Sequence, residues 1–187
     1  MMADSTVPAV TLAIFASDRG PGDPERSSIM SQAGSLFARR GAGIVCLAEQ
    51  GVLPVPLITA ARAAGGRVQI VGDETIVLPP ALDGVPLEII AERSERAARV
   101  GELADAFIAL PGSLASVSSL FTTWSAAKEK GLVRPVVMLN RHRAFDVVRG
   151  YAADVLSHSL QGHERLLQFA DSVDDVWARA SRLVGER

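Results

Sequence analysis

Residues Asp105–Gly131 read DAFIALPGSLASVSSLFTTWSAAKEKG. Ala106 to Leu110 form an apolar run of strand length. Pro111 and Gly112 then turn the chain, hydroxyls follow, and an amphipathic pattern begins. Val117, Leu120, Phe121, Trp124 and Ala127 recur at helical spacing and predict a helix over Val117–Lys130. A strand that feeds a helix through a small-residue turn leaves backbone N–H groups at the positive end of the helix dipole. An anion is favoured there. Ser113, Ser116, Ser118 and Ser119 occupy the turn and first helical turn, which contain no carboxylate, histidine, lysine or cysteine. That frame suits binding, and the missing groups argue against catalysis.

The same alternation continues in both directions. Strands are predicted at Val10–Ala16, Gly43–Ala48, Arg67–Val71, Leu87–Ile90, Pro135–Leu139 and Leu166–Ala170. Helices are predicted at Glu25–Arg40, Val55–Ala64, Glu92–Leu103, Ala144–Ser157 and Val173–Val184, and an irregular stretch at Ile76–Pro86. Apolar strands with little in/out alternation are buried on both faces, as in a parallel sheet covered by helices. The expected fold is therefore α/β, a Rossmann-like doubly wound parallel sheet flanked by helices on both faces, in a single domain over 1–187. Ligands of such sheets bind beyond the carboxyl ends of the strands at the switch point. Ser17–Gly22, Leu47–Pro54 and Pro111–Ser116 leave strands at that edge.

Composition narrows the function classes. Hydrophobic residues make up 48% and aromatic ones 5%, so the core is aliphatic and long enough a chain exists to bury it. A formal net charge of −2 supplies no basic field for nucleic acid. One cysteine, Cys46, and three histidines without metal-ligand spacing predict no disulfide and no metal site. The opening MMADSTVP lacks a basic n-region, and no apolar run has membrane-span length. A cytoplasmic protein with no membrane partner is expected.

Several residues carry chemistry-bearing and plain readings side by side. Serines in a first turn cap helices as readily as they hold phosphate. Arg93, Arg96 and Arg99 recur every three residues, as an anion clamp or as a solvated face paired through Glu92–Arg96 and Glu95–Arg99. Asn140 and His142 follow a strand and share the carboxyl edge. Gly112-Ser113 with Asp146 and His158 downstream has the chain order of a hydrolase triad, without G-x-S-x-G spacing. Cys46 reads as a small core residue.

The stretch ERSERAARVGELADAFIALPGSLASVSSLFTTW and the later VVMLNRHRAFD resemble the LOG family of Rossmann-like phosphoribohydrolases over roughly Val10 to Val184. Arg96 falls on the family's motif arginine, and Ala97 on the following lysine. Pro111 and Gly112 match its P-G-G-x-G-T-x-x-E motif. Ser113 and Ala115 replace glycines, Ser116 replaces threonine, and Ser119 replaces the glutamate that is the general acid/base. The loop CLAEQGVLPVP stands where the family has a glycine-rich loop, with Gly51 its one glycine. The resemblance implies a homodimer and a small phosphorylated ligand, a nucleoside monophosphate or ribose phosphate, held by Ser17, Arg96, Gly112, Ser113, Ser116 and Ser119. With serine at the glutamate position, no catalytic residue and no cofactor are expected. A serine hydroxyl does not replace a carboxylate base at neutral pH, and losing such a group slows reactions about 10²–10⁴-fold. Two alternatives remain: an active hydrolase using Glu49 or Glu95 as a substitute acid/base, and a ligand-free dimeric scaffold.

Overall fold

The computed structural model describes residues 10–17, 24–49, 51–156, 158 and 162–186. The Ser17–Gly22 edge segment therefore lies largely outside the described residues. Seven strands form one sheet: β1 (Thr11–Phe15), β2 (Gly43–Ala48), β3 (Arg67–Gly72), β4 (Leu87–Ile89), β5 (Ala106–Ala109), β6 (Val136–Leu139) and β7 (Leu167–Ala170). The helices are α1 (Pro24–Arg39), α2 (Val55–Ala63), α3 (Arg93–Leu103), α4 (Leu114–Glu129), α5 (Asp146–Tyr151) and α6 (Val173–Gly185). Strand order is β4-β3-β2-β1-β5-β6-β7, and every pairing is parallel. This is the α/β architecture read from the sequence.

Side-chain alternation splits the core between the two sheet faces. Leu12, Ile14, Ile44 and Cys46 face α1, α2 and α6, meeting Phe37, Leu57 and Val176. Ala13, Phe15, Val45 and Phe107 face the other way, onto Val100 of α3, Leu120 of α4 and Phe145 at the start of α5. Helices on both faces leave the strands no polar side, which is why their sequences alternate so little.

Chain order reverses direction across the sheet beside β1: β2, β3 and β4 lie on one flank, and β5, β6 and β7 on the other. The tails of β1 and β5 thus diverge into loops on opposite faces. The Leu110 amide still donates to the Phe15 carbonyl at 3.0 Å, so the two strands stay paired up to the point of divergence. That crevice is the switch point.

Two elements differ from the expectation by more than one residue at an end. Helix α4 begins at Leu114, three residues before Val117, because Ser113 and Ser116 cap each other. The predicted Ala144–Ser157 helix resolves into α5 and a π-turn at Ala152–Leu156. Its start is set by Asn140, whose Oδ1 accepts from the Phe145 amide at 2.7 Å and whose Nδ2 donates to Asp146 at 2.8 Å.

Helices α1 and α2 touch through Gly34, where a Cβ would lie 2.2 Å from the Leu57 carbonyl oxygen. Gly34→Ala would gain about 1 kcal/mol of helix propensity. Forcing the helices apart costs about 1–3 kcal/mol or more. The urea midpoint is expected to fall, and an unchanged or raised midpoint would show that the helices separate freely.

Candidate functional site

The tip between β1 and β5 is built on close approach. A Cβ on Gly112 would lie 2.7 Å from Ser116 Oγ and 3.0 Å from the Ser17 amide nitrogen. Ser17 is fully buried beneath it. Ser113 is the N-cap of α4, and its Oγ accepts from the Ser116 amide at 3.3 Å. Ser116 Oγ accepts in return from the Ser113 amide at 3.2 Å and donates to the Ser113 carbonyl at 2.8 Å. Both hydroxyl oxygens accept within a capping box, the plain reading of these serines. The first-turn amides of Leu114 and Ala115 lie beyond this box and have no intrahelical acceptor. The Leu114 side chain stands outside the cleft, 86% exposed.

A second group of residues gathers beside α4. Glu49 lies just past β2, where the Val52 amide donates back to the Glu49 carbonyl at 2.9 Å. Gly51 takes φ +69° within this turn, a conformation that glycine adopts without strain. The turn folds the Glu49 carboxylate inward, to 8% exposure. Ser119 Oγ donates to Oε2 at 2.8 Å, and Arg93 Nε donates to Oε1 at 3.2 Å. Arg96 Nη2 lies 3.8 Å from the same Oε1. Ser119 of α4 thus holds a carboxylate that arrives from the loop after β2.

Arg96 sits behind this carboxylate and does not line the cleft. Its Nη1 donates to the Ile90 carbonyl at 2.8 Å and to the Ala91 carbonyl. Its Nη2 is 3.7 Å from Asp73 Oδ2, and its buried Nε has no hydrogen-bond partner. The guanidinium therefore ties the exits of β2, β3 and β4 together. Hydrogen bonds from the Thr75 hydroxyl and amide, aided by the Arg96 charge and opposed by desolvation, hold Asp73 below the usual carboxylate range. A depressed carboxyl stabilises the fold above its unfolded pKa and loses that contribution as pH falls through the folded value. The (i, i+4) pairs read for Arg96 and Arg99 give way to other contacts. Arg96 turns to the sheet, and Arg99 pairs with Glu88 at 2.9 Å and Glu102 at 3.6 Å.

The two groups meet in one cleft, lined by Ile14–Ala16, Leu47, Glu49, Val52, Pro54, Arg93, Ala115, Ser116, Ser118 and Ser119. It leaves about 60 Å³ for solvent. Whole-ligand pockets run to about 300–1,000 Å³, so this enclosed part takes only a fragment of a ligand. The rest would lie over the open rim, beside Arg93, whose side chain is 54% exposed. Position after β2 marks Glu49 in the sequence, and the arginine triplet marks Arg93. Nothing in that spacing says which arginine faces the cleft.

Other candidates are engaged elsewhere. His142 Nε2 meets Glu25 at 2.7 Å, on a backbone with φ +53°. Asp146 is bound by Asn140 and Arg143, and His158 Nδ1 meets the Asp154 carbonyl at 2.6 Å. Burial pushes the Cys46 thiol up to about 12, which removes it as a nucleophile.

No protein-family model matches the chain, and no curated protein matches its sequence. Solved structures match its shape. TM1055 superposes with a TM-score of 0.68 at 14% identity, covering 92% of this chain and 99% of that one. The molybdenum cofactor carrier protein of Chlamydomonas reinhardtii gives 0.67 at 14% identity, covering 94% and 98%. DNA processing protein A of Helicobacter pylori, solved for its single-stranded DNA binding mode, gives 0.57 at 14% identity, covering 95% and 81%. At such identities the likeness is one of fold.

Arg96→Met would leave two carbonyls without their donor and Asp73 without its cation, and Glu49 with Arg93 alone. Removing one partner of a buried ion pair costs about 3–5 kcal/mol, and this loss is expected in chemical denaturation. A loss below about 1 kcal/mol, the range of exposed pairs, would contradict the clamp role.

Proposed function

We propose that the chain is a LOG-like binding protein for a small phosphorylated ligand, a nucleoside monophosphate or ribose phosphate. The observation that carries this reading is one narrow cleft joining the α4 amides to the buried Glu49 carboxylate. From Leu114 to Ser119 the helix rises about 7.5 Å at about 1.5 Å per residue. That is the span of one 5-phosphopentose. The phosphate would rest on the Leu114 and Ala115 amides, with the capping box of Ser113 and Ser116 and the tight turn at Gly112 and Ser17 setting their direction. The sugar hydroxyls would donate to Glu49, which Ser119 orients and Arg96 supports from behind. The net charge of −2 favours a small ligand over nucleic acid. Fold neighbours named as cofactor carriers support carriage over turnover.

A second reading keeps the hydrolase. The Ser119–Glu49 hydrogen bond of 2.8 Å places a carboxylate beside the residue that stands at the motif glutamate. Both Glu49 oxygens already accept protein donors, and a ligand in either reading would use their remaining lone pairs.

Calorimetry with ribose 5-phosphate, AMP, GMP and inorganic phosphate separates the readings. The sugar phosphate is expected to bind more tightly than phosphate alone, and Glu49→Ala to erase the difference. No binding by any of the four at millimolar concentration rejects the proposal and favours a scaffold. The same mixtures are expected to release no free base. Base release that stops in Glu49→Gln would establish the second reading.

We also propose a homodimer that pairs through α4. Phe121, Trp124, Leu132 and Val133 line an apolar groove of about 350 Å³ there. Sedimentation is expected to show a dimer that Phe121→Glu weakens; a monomer at every concentration would refute this.

A further inference from the structure

Arg93 opens α3 at the rim of the cleft, and its Nε donates to Glu49 Oε1 at 3.2 Å. That bond to a buried carboxylate sets the plane of an otherwise half-exposed guanidinium. A guanidinium has five N–H donors in a rigid fork. One is used here, and the four on the two Nη groups meet no acceptor among the described residues. The neighbouring arginines differ. Arg96 is tied to two carbonyls and flanked by two carboxylates, and Arg99 is held by Glu88 and Glu102. Of the three, Arg93 alone offers a planar pair of donors to something in the cleft.

The chemistry of those donors restricts what they recognise. With a phosphate on the α4 amides and a sugar against Glu49, the substituent on the sugar's anomeric carbon lies toward Arg93. A fork of N–H groups seeks two adjacent acceptors. Guanine and hypoxanthine present O6 and N7 side by side, whereas adenine places the N6 amino donor beside N7. An adenine would set N–H against N–H at one prong. We propose that the site takes a 6-oxopurine nucleotide and that Arg93 is the residue that selects the base. This rests on the phosphoribosyl reading of the same cleft.

The test is calorimetry on the full chain with GMP, IMP, AMP, ribose 5-phosphate and 5-phosphoribosyl 1-diphosphate. A bidentate arginine contact discriminates between bases by about 5- to 160-fold. GMP and IMP are expected to exceed AMP by that factor, and the ratio to collapse toward one in Arg93→Lys, which keeps the charge and loses the fork. Thermal unfolding of Arg93→Lys is expected to match the parent, since the position is exposed. AMP binding as tightly as GMP overturns the inference, even when ribose 5-phosphate binds and the cleft reading stands. Tighter binding of the diphosphate than of GMP also overturns it, because the fork then reads a second anion. If none of the five binds, the cleft reading falls and takes this inference with it.

Discussion

A buried guanidinium organises the carboxyl edge of this sheet. Arg96 lies between Glu49 and Asp73 and caps the carbonyls of Ile90 and Ala91, so it joins the ends of three adjacent strands. Its desolvation is expensive, and the surrounding acceptors offset that cost only in this geometry. The arrangement is therefore specific more than it is stabilising. It holds the Glu49 turn folded inward, and with it the wall of the cleft. The Asp73 carboxyl titrates low chiefly through its bonds from Thr75, with a lesser contribution from the Arg96 charge.

Small residues make the opposite edge of the cleft possible. Gly112 lets β1 and β5 run side by side to their last residues, and the Ser17 amide lies where a larger neighbour would press. Gly101 and Ala127 do similar work between α3 and α4, where an added Cβ would come within 2.9 Å of the Ala127 Cβ. These contacts set the position of the α4 N-terminus relative to the strand tips. A dipole-based anion site depends on that position, because its attraction falls off within about one helical turn. The serines serve this end indirectly: they close the cap and fix the turn.

Most of the architecture was legible in the chain itself. Unalternating apolar runs such as Gly43–Ala48 and Ala106–Leu110 can be covered only by helices on both faces, which selects a parallel sheet. The helix starts were harder to read. A capping box made of two serines resembles a loop in the sequence, so α4 begins a turn earlier than its apolar stripe indicates. The cleft residues were legible one at a time. Ser119 stood out as a serine where the resemblance expects a glutamate, and Glu49 as a charge in a loop expected to be glycine-rich. Their meeting across 70 positions was not legible, since it depends on how two loops fold over a strand edge.

By itself the sequence determined the layered α/β order, the location of the switch point and a serine, Ser119, where the resemblance expects a carboxylate. These follow from local periodicity and residue identity, which act along the chain. Tertiary structure alone decided that the carboxylate of Glu49, just past β2, lies beside Ser119, that Arg96 supports it from behind, and that Arg93 faces the opening. Arginines at three-residue spacing are equivalent until burial separates them: the one turned toward the sheet must find acceptors for its charge, and the one at the rim keeps its donors for solvent or a ligand.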